Sequence, residues 1–406
     1  MKAILQIALG IIAAIGGFVD IGDLVFNAQA GAEFGYELMW AVPVGVVGIG
    51  LYAEMCGRVA AVTGRPVFDV IRMRLGLVSG LVVLVASLIV NLLTVAAEIG
   101  GVALILQLFF DAPFTLFALL GALGLVGIIW FTPFEGIERL FGYGGLALFV
   151  FVAAALQAGP DWHAVASGLV PQAKSSTLYW YFVVGLIAAA LMPYEVYFYS
   201  SGAVEERWGP KDLRVNRLNA VIGYGIGGLL SLGIMVAAAQ IFEPAGISPD
   251  HLGTVPLLAQ VPFAETGLIL ALLGMLFAIG GAAVDASFAG AYSIAQFAGW
   301  EWGKYRRAAG APRFVLGWLL FFALGLAVLM TGIDPLDLTE YSVVLSVVAL
   351  PLTYLPVLLI ARDRTFMGEH SNGPVTRVLG WVYFAVLVIV ALVAIPLLLA
   401  TNAGGG

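Results

Sequence analysis

Gly16-Gly17-Phe18-Val19-Asp20-Ile21-Gly22-Asp23 decides how this chain is read. Two carboxylates stand three residues apart among glycines, inside an apolar run that starts at Ile4 and resumes at Leu24. A charged group in hydrocarbon is costly, so residues of this kind normally line a pathway. Glycine lets a helix unwind and frees backbone carbonyls, here near Gly17. The residues alone leave a second reading open, in which the helix ends at Val19 and residues 20–35 form an outer loop.

Leu191-Met192-Pro193-Tyr194-Glu195 breaks another apolar run, residues 178–200, past its middle. Proline has no N–H and interrupts the hydrogen-bond ladder, yet it suits the first position of a new helix. Glu195 is then expected in the first turn of a second half-helix, where the dipole favours an anion. The competing reading is a kinked structural helix with Glu195 held by a neighbour.

The composition sets the solvent. Of 406 residues, 62% are hydrophobic and 11% charged, against about a quarter charged in soluble domains. Lipid must therefore cover much of the surface. The lone Cys56 excludes an internal disulfide and any cysteine-based metal cluster. A net charge of −7 without a basic stripe gives no sign of a nucleic-acid partner. No phosphate loop, His-Glu-x-x-His motif or nucleophile with a nearby base is present, so an enzyme is not expected. His163, His251 and His370 all fall between apolar runs, which leaves no histidine for a metal site in the membrane.

At about 20 apolar residues per crossing, eleven spans are expected. They lie near 3–32, 37–57, 78–110, 113–132, 140–158, 178–204, 217–242, 265–300, 314–332, 338–361 and 378–401. With the N-terminus inside, all of the 18 Lys and Arg residues except Lys174 fall on the cytoplasmic side, as the positive-inside rule requires. The C-terminus then lies outside. This is the layout of a multi-pass protein of the plasma membrane, the inner membrane in a bacterium. The interrupted spans are the first and the sixth. An offset of five reverses direction, so each opens a five-helix unit inverted relative to the other, residues 1–158 and 178–361. An extra helix follows at 378–401, and the whole is one transmembrane domain. Paired interrupted helices in inverted halves are the best sequence pointer to a transporter's binding site.

The two interruptions would offer the carboxylates of Asp20 and Asp23, carbonyls near Gly17 and Ala189, and the Met192 thioether. Carboxylates and carbonyls are hard donors suited to Mg²⁺, Ca²⁺ or Mn²⁺, whereas a thioether adds affinity only for transition metals. Taken alone, Met192 also reads as an ordinary packing residue. Glu98 lies well inside the third span. It is either a proton carrier or a glutamate satisfied by a neighbouring helix.

These residues resemble the natural resistance-associated macrophage protein family of divalent metal transporters, over nearly the whole chain. That family's first broken helix usually reads Asp-Pro-Gly-Asn, and here Asp20-Ile21-Gly22-Asp23 is followed by Ala30-Gly31-Ala32 and Gly35-Tyr36. Its sixth usually reads Met-Pro-His-Asn, and here Met192-Pro193-Tyr194-Glu195 is followed by Ser200-Ser201. Val62-Thr63-Gly64-Arg65, Phe277-Ala278-Ile279-Gly280 and Met367-Gly368-Glu369 also match. The resemblance implies an all-α LeuT-type fold with broken helices 1 and 6. It implies metal ligands at Asp20, Asp23, Met192 and the Ala189 carbonyl. Departures are Asp23 for the usual Asn, Tyr194 for His, Glu195 for Asn, Val95 for a third-helix Asp, and Ser342 near the usual tenth-helix Gln. They put the familiar proton route in doubt.

The expected function is import of a divalent transition metal, Mn²⁺ first and Fe²⁺ next. The partners are the ion as cargo, the bilayer and, through Glu98, protons, with no cofactor and a monomeric chain. The second aspartate argues instead for Mg²⁺ or a trivalent ion. An organic solute such as an amino acid is a further alternative on the same scaffold, as is a non-transporting sensor.

Overall fold

Proline and glycine place the helix ends. The computed structural model describes residues 19–110 and 112–401. Residues 3–18 of the expected first span, with the Gly17 carbonyl, Lys2 and residues 402–406, lie outside the described residues. Helix α1 is Ile21–Phe34, the second half of that span. Next come α2 Ala41–Thr63, α3 Val67–Phe109, α4 Phe114–Phe131 and α5 Phe134–Gln157. The sixth span is split into α6 Thr177–Ala189 and α7 Pro193–Glu205. Helices α8 Pro210–Ile241, α9 Leu257–Ala298, α10 Pro312–Leu329, α11 Pro335–Ala361 and α12 Pro374–Ala400 complete the set. Proline opens α7, α10, α11 and α12 at their first turns, and left-handed glycines close α2 and α9 at Gly64 and Gly299.

Among the described residues, ten helical segments are long and apolar enough to cross a membrane. Each expected span from the second onward has its counterpart. Two of these segments are longer than a bilayer is thick, and each consists of two helices joined across a kink. Gly76 interrupts α3 and Ala264 interrupts α9, both at positive φ. The expected starts at 78 and 265 fall just past these bends. His163 sits in a short helix, Trp162–Gly168, between spans.

Burial sorts the helices. In its most apolar 18-residue stretch the α6–α7 segment is 94% buried within the protein, while that of α12 is 22% buried and α12 turns Leu392 and Leu399 outward. The broken span therefore runs through the centre, and α12 lies on α11 at the periphery. Helix α3 packs on α9, α1 on α8, α2 on α7, α3 on α11, α5 on α9, α3 on α4, and α9 on α10. Exchanging each of the first five spans for its partner in the second five maps this set onto itself. Such a pattern is what two repeated five-helix units would give.

Close contact between α1 and α8 depends on Gly31. A Cβ there would lie 2.3 Å from the Met235 carbonyl oxygen and 2.8 Å from the Ala238 Cβ. Small residues at such crossings are what allow membrane helices to approach. Gly31→Val is expected to lower stability by about 1–3 kcal/mol through overpacking, read as a lower thermal midpoint in detergent. An unchanged midpoint would show that the α1–α8 contact is looser than described.

Candidate metal centre

Asp20 has an extended backbone and caps α1. Its Oδ1 accepts the Asp23 N–H at 2.9 Å, satisfying one of the amides that a helix start leaves without a partner. Residues 21–34 are helical, and Asp20 and Asp23 are each 1% exposed. The outer-loop reading is thereby replaced. In the sixth span, α6 stops at Ala189 and Met192 is extended before Pro193 opens α7. The residue four beyond Ala189 is Pro193, which has no N–H, so the Ala189 carbonyl loses its helical donor. Glu195 lies in the first turn of α7 as expected, which replaces the kinked-helix reading.

Asp20 from α1, Met192 from the break, Glu98 and Thr94 from α3, and Ser342 from α11 line one small cavity. Its volume is about 10 Å³, room for about one water-sized sphere. Glu98 reaches the start of α1, where its Oε1 accepts the Ile21 N–H at 3.4 Å. Its Oε2 makes no hydrogen bond among the described residues. Ser342 shares a 2.7 Å hydrogen bond with Thr94. Tyr194, where the family usually has a histidine, is fully buried two residues past Met192.

Not every expected ligand faces this cavity. Asp23 and Ala189 are not among its lining residues. The Asp23 carboxylate is taken up by Asn27, whose Nδ2 donates to Oδ1 at 2.9 Å, and by Ser231 of α8, whose hydroxyl donates to Oδ2 at 2.5 Å. Among the described residues no three His, Cys, Asp or Glu side chains are grouped to hold one ion. Asn27 sits four residues past Asp23, on the same helix face, and was legible in the spacing. Ser231, 208 positions away, carried no local signal.

Glu195 faces elsewhere. It lines a vestibule of about 740 Å³ that runs to the Lys- and Arg-rich face, past Glu138 and Arg139 of α5, the 206–209 loop and the first turn of α8. At its side Lys304 is almost fully buried, paired with Glu138 at 3.1 Å and lying over the Phe134 and Phe198 rings. Burial alone would depress the Lys304 ammonium, but Glu138, with help from Glu206 and Glu205, raises it above its ordinary value, so it stays charged.

The divalent metal cation transporter MntH of Aeromonas hydrophila is 27% identical over 392 residues, covering 93% of this chain and 92% of its own. MntH of Mycobacterium tuberculosis is 27% identical over 409 residues, covering 97% and 91%. A crystal structure of the Eremococcus coleocola manganese transporter, in complex with an aromatic bis-isothiourea substituted compound, superposes with a TM-score of 0.78. It is 20% identical and covers 95% of this chain and 85% of that one. MhsT in complex with L-phenylalanine gives a TM-score of 0.65 at 15% identity, covering 94% and 98%. These likenesses establish the fold as that of the LeuT-type transporters. The natural resistance-associated macrophage protein-like family matches residues 10–396, and this chain belongs to that family.

Proposed function

We propose that this chain is a secondary transporter that imports divalent transition-metal ions by alternating access, with Mn²⁺ favoured and Fe²⁺ next. One observation carries the proposal: the Asp20 carboxylate and the Met192 thioether, 172 positions apart in the chain, line the same buried cavity. A carboxylate with a thioether is a mixed hard and soft donor pair, which suits a transition metal better than Mg²⁺ or Ca²⁺. Mg²⁺ or a trivalent ion would be favoured by a second aspartate at the ion. Asp23 is instead hydrogen-bonded to α8, and Asp20 with Glu98 supplies charge for a dication. The names of the MntH relatives and of the manganese transporter agree with this reading. The 1–158 and 178–361 units are the halves that would rock against each other, with 378–401 outside that motion.

An amino-acid substrate fits poorly. MhsT shares the fold with L-phenylalanine bound, but the cavity between Asp20 and Met192 has room for about one water-sized sphere. The N-terminus is assigned to the cytoplasm and the vestibule to the cytoplasmic face by the distribution of Lys and Arg. Glu98, with one oxygen unpartnered beside the cavity, is the residue assigned to any coupled proton movement.

Reconstituted into liposomes, the protein is expected to carry Mn²⁺ down an imposed gradient and to discriminate against Mg²⁺. Absence of flux for Mn²⁺, Fe²⁺, Co²⁺ and Mg²⁺ alike would remove this function.

A further inference from the structure

The vestibule holds a second set of oxygen donors that the central cavity does not use. Glu195 is 8% exposed, and its Oε1 makes no hydrogen bond among the described residues. Asn219 is 5% exposed, and its Oδ1 also has no partner there. Both side chains line the vestibule, as does Asp285 of α9. A buried, unpaired acceptor costs about 1–3 kcal/mol, more when it is charged, so two of them beside one cavity ask for a ligand. Each donor comes from a different element. Glu195 stands in the first turn of α7. Asp285 shares its helix face with Gly281, four residues earlier, and both line the same space. Asn219 opens the π-turn Asn219–Gly223 within α8, a local distortion that is common at functional sites.

We propose that Glu195, Asp285 and Asn219 form a second divalent-cation site in the vestibule, through which the ion passes between the central cavity and the Lys- and Arg-rich face. The proposal rests on the metal-transport reading above and adds a site to it. Two carboxylates and an amide carbonyl are hard donors without sulfur. This site is therefore expected to discriminate less between Mn²⁺ and Mg²⁺ than the cavity containing Met192. Glu195 lies three residues past Met192, about 4–5 Å along the helix axis, within one step of the central site. The nearby cation Lys304 is engaged by Glu138. Neither Glu195 nor Asp285 makes an ion pair with any described residue.

Equilibrium dialysis of the full chain in detergent against Mn²⁺ up to millimolar concentration tests this. Wild type is expected to hold two ions per chain, and Glu195→Gln and Asp285→Asn one each. Asp20→Ala is expected to keep only the weaker ion. Asn219→Leu leaves the charge unchanged and should weaken the second ion about tenfold while its melting point stays at the wild-type value. One ion per chain in wild type, or two retained in folded Glu195→Gln, overturns the second site while leaving the transport reading intact. If instead Asp20→Ala changes neither stoichiometry nor flux, the transport reading itself is what fails.

Discussion

Asp20→Ala is expected to abolish Mn²⁺ uptake. Asp20 is a buried carboxylate at the start of α1, facing the same cavity as Met192 and Glu98. Truncating one member of a buried charge pair costs about 2–5 kcal/mol, and every 1.4 kcal/mol is about tenfold in affinity. The apparent affinity for Mn²⁺ should therefore fall at least about 30-fold, and flux at micromolar metal should drop to background. Asp20 also caps α1, accepting the Asp23 N–H, and losing a cap costs about 1 kcal/mol. Asp20→Asn separates the two effects. It keeps an oxygen for the cap and removes the charge, so stability should return while transport does not. Wild-type uptake by Asp20→Asn would show that the charge is not used for the ion.

The second large effect is on selectivity. Met192→Ala removes the soft donor and leaves oxygen ligands, which suit Mg²⁺ and Ca²⁺ as well as Mn²⁺. Disturbing even an indirect partner of a metal ligand costs about 10–100-fold in affinity. The Mn²⁺ preference over Mg²⁺ is expected to fall by a similar factor, mostly through weaker Mn²⁺ binding. Competition of Mg²⁺ against Mn²⁺ uptake measures it. Met192 is 1% exposed, so a cavity penalty of about 2–5 kcal/mol in stability accompanies the change. Met192→Leu fills most of that volume without restoring sulfur. Stability recovered with selectivity still lost identifies the thioether as a ligand. Selectivity recovered by Met192→Leu would make it a packing residue.

The sequence carried the architecture because lipid leaves few choices. Long apolar runs must be helices when no water can satisfy their backbone groups, and the described spans follow those runs. Pro193 and the glycines around Asp20 marked where the chain departs from a regular helix, but the residues alone left a kink open at Pro193 and an outer loop open after Val19. The bend at Ala264 had a signal in Pro262 two residues earlier, but not in the alanine itself, whose φ of 52 reflects the surrounding structure and not the residue's own preference. The site was legible only in part. Asp20 and Met192 share a cavity, as their places in two interrupted helices implied. The Asp23 carboxylate serves Ser231 and Asn27, because a hydroxyl 208 positions away happens to face it. The grouping of Glu195 with Asp285 and Asn219 depends on α7, α8 and α9 meeting around one vestibule, and no local pattern in any of the three announces it.

Anomalous scattering from crystals soaked in Mn²⁺ tests the central claim most directly. The account predicts the strongest manganese peak in the cavity between α1 and the α6–α7 break, with an Asp20 oxygen within about 2.6 Å and the Met192 sulfur beside it. A strongest peak that neither Asp20 nor Met192 touches would contradict it.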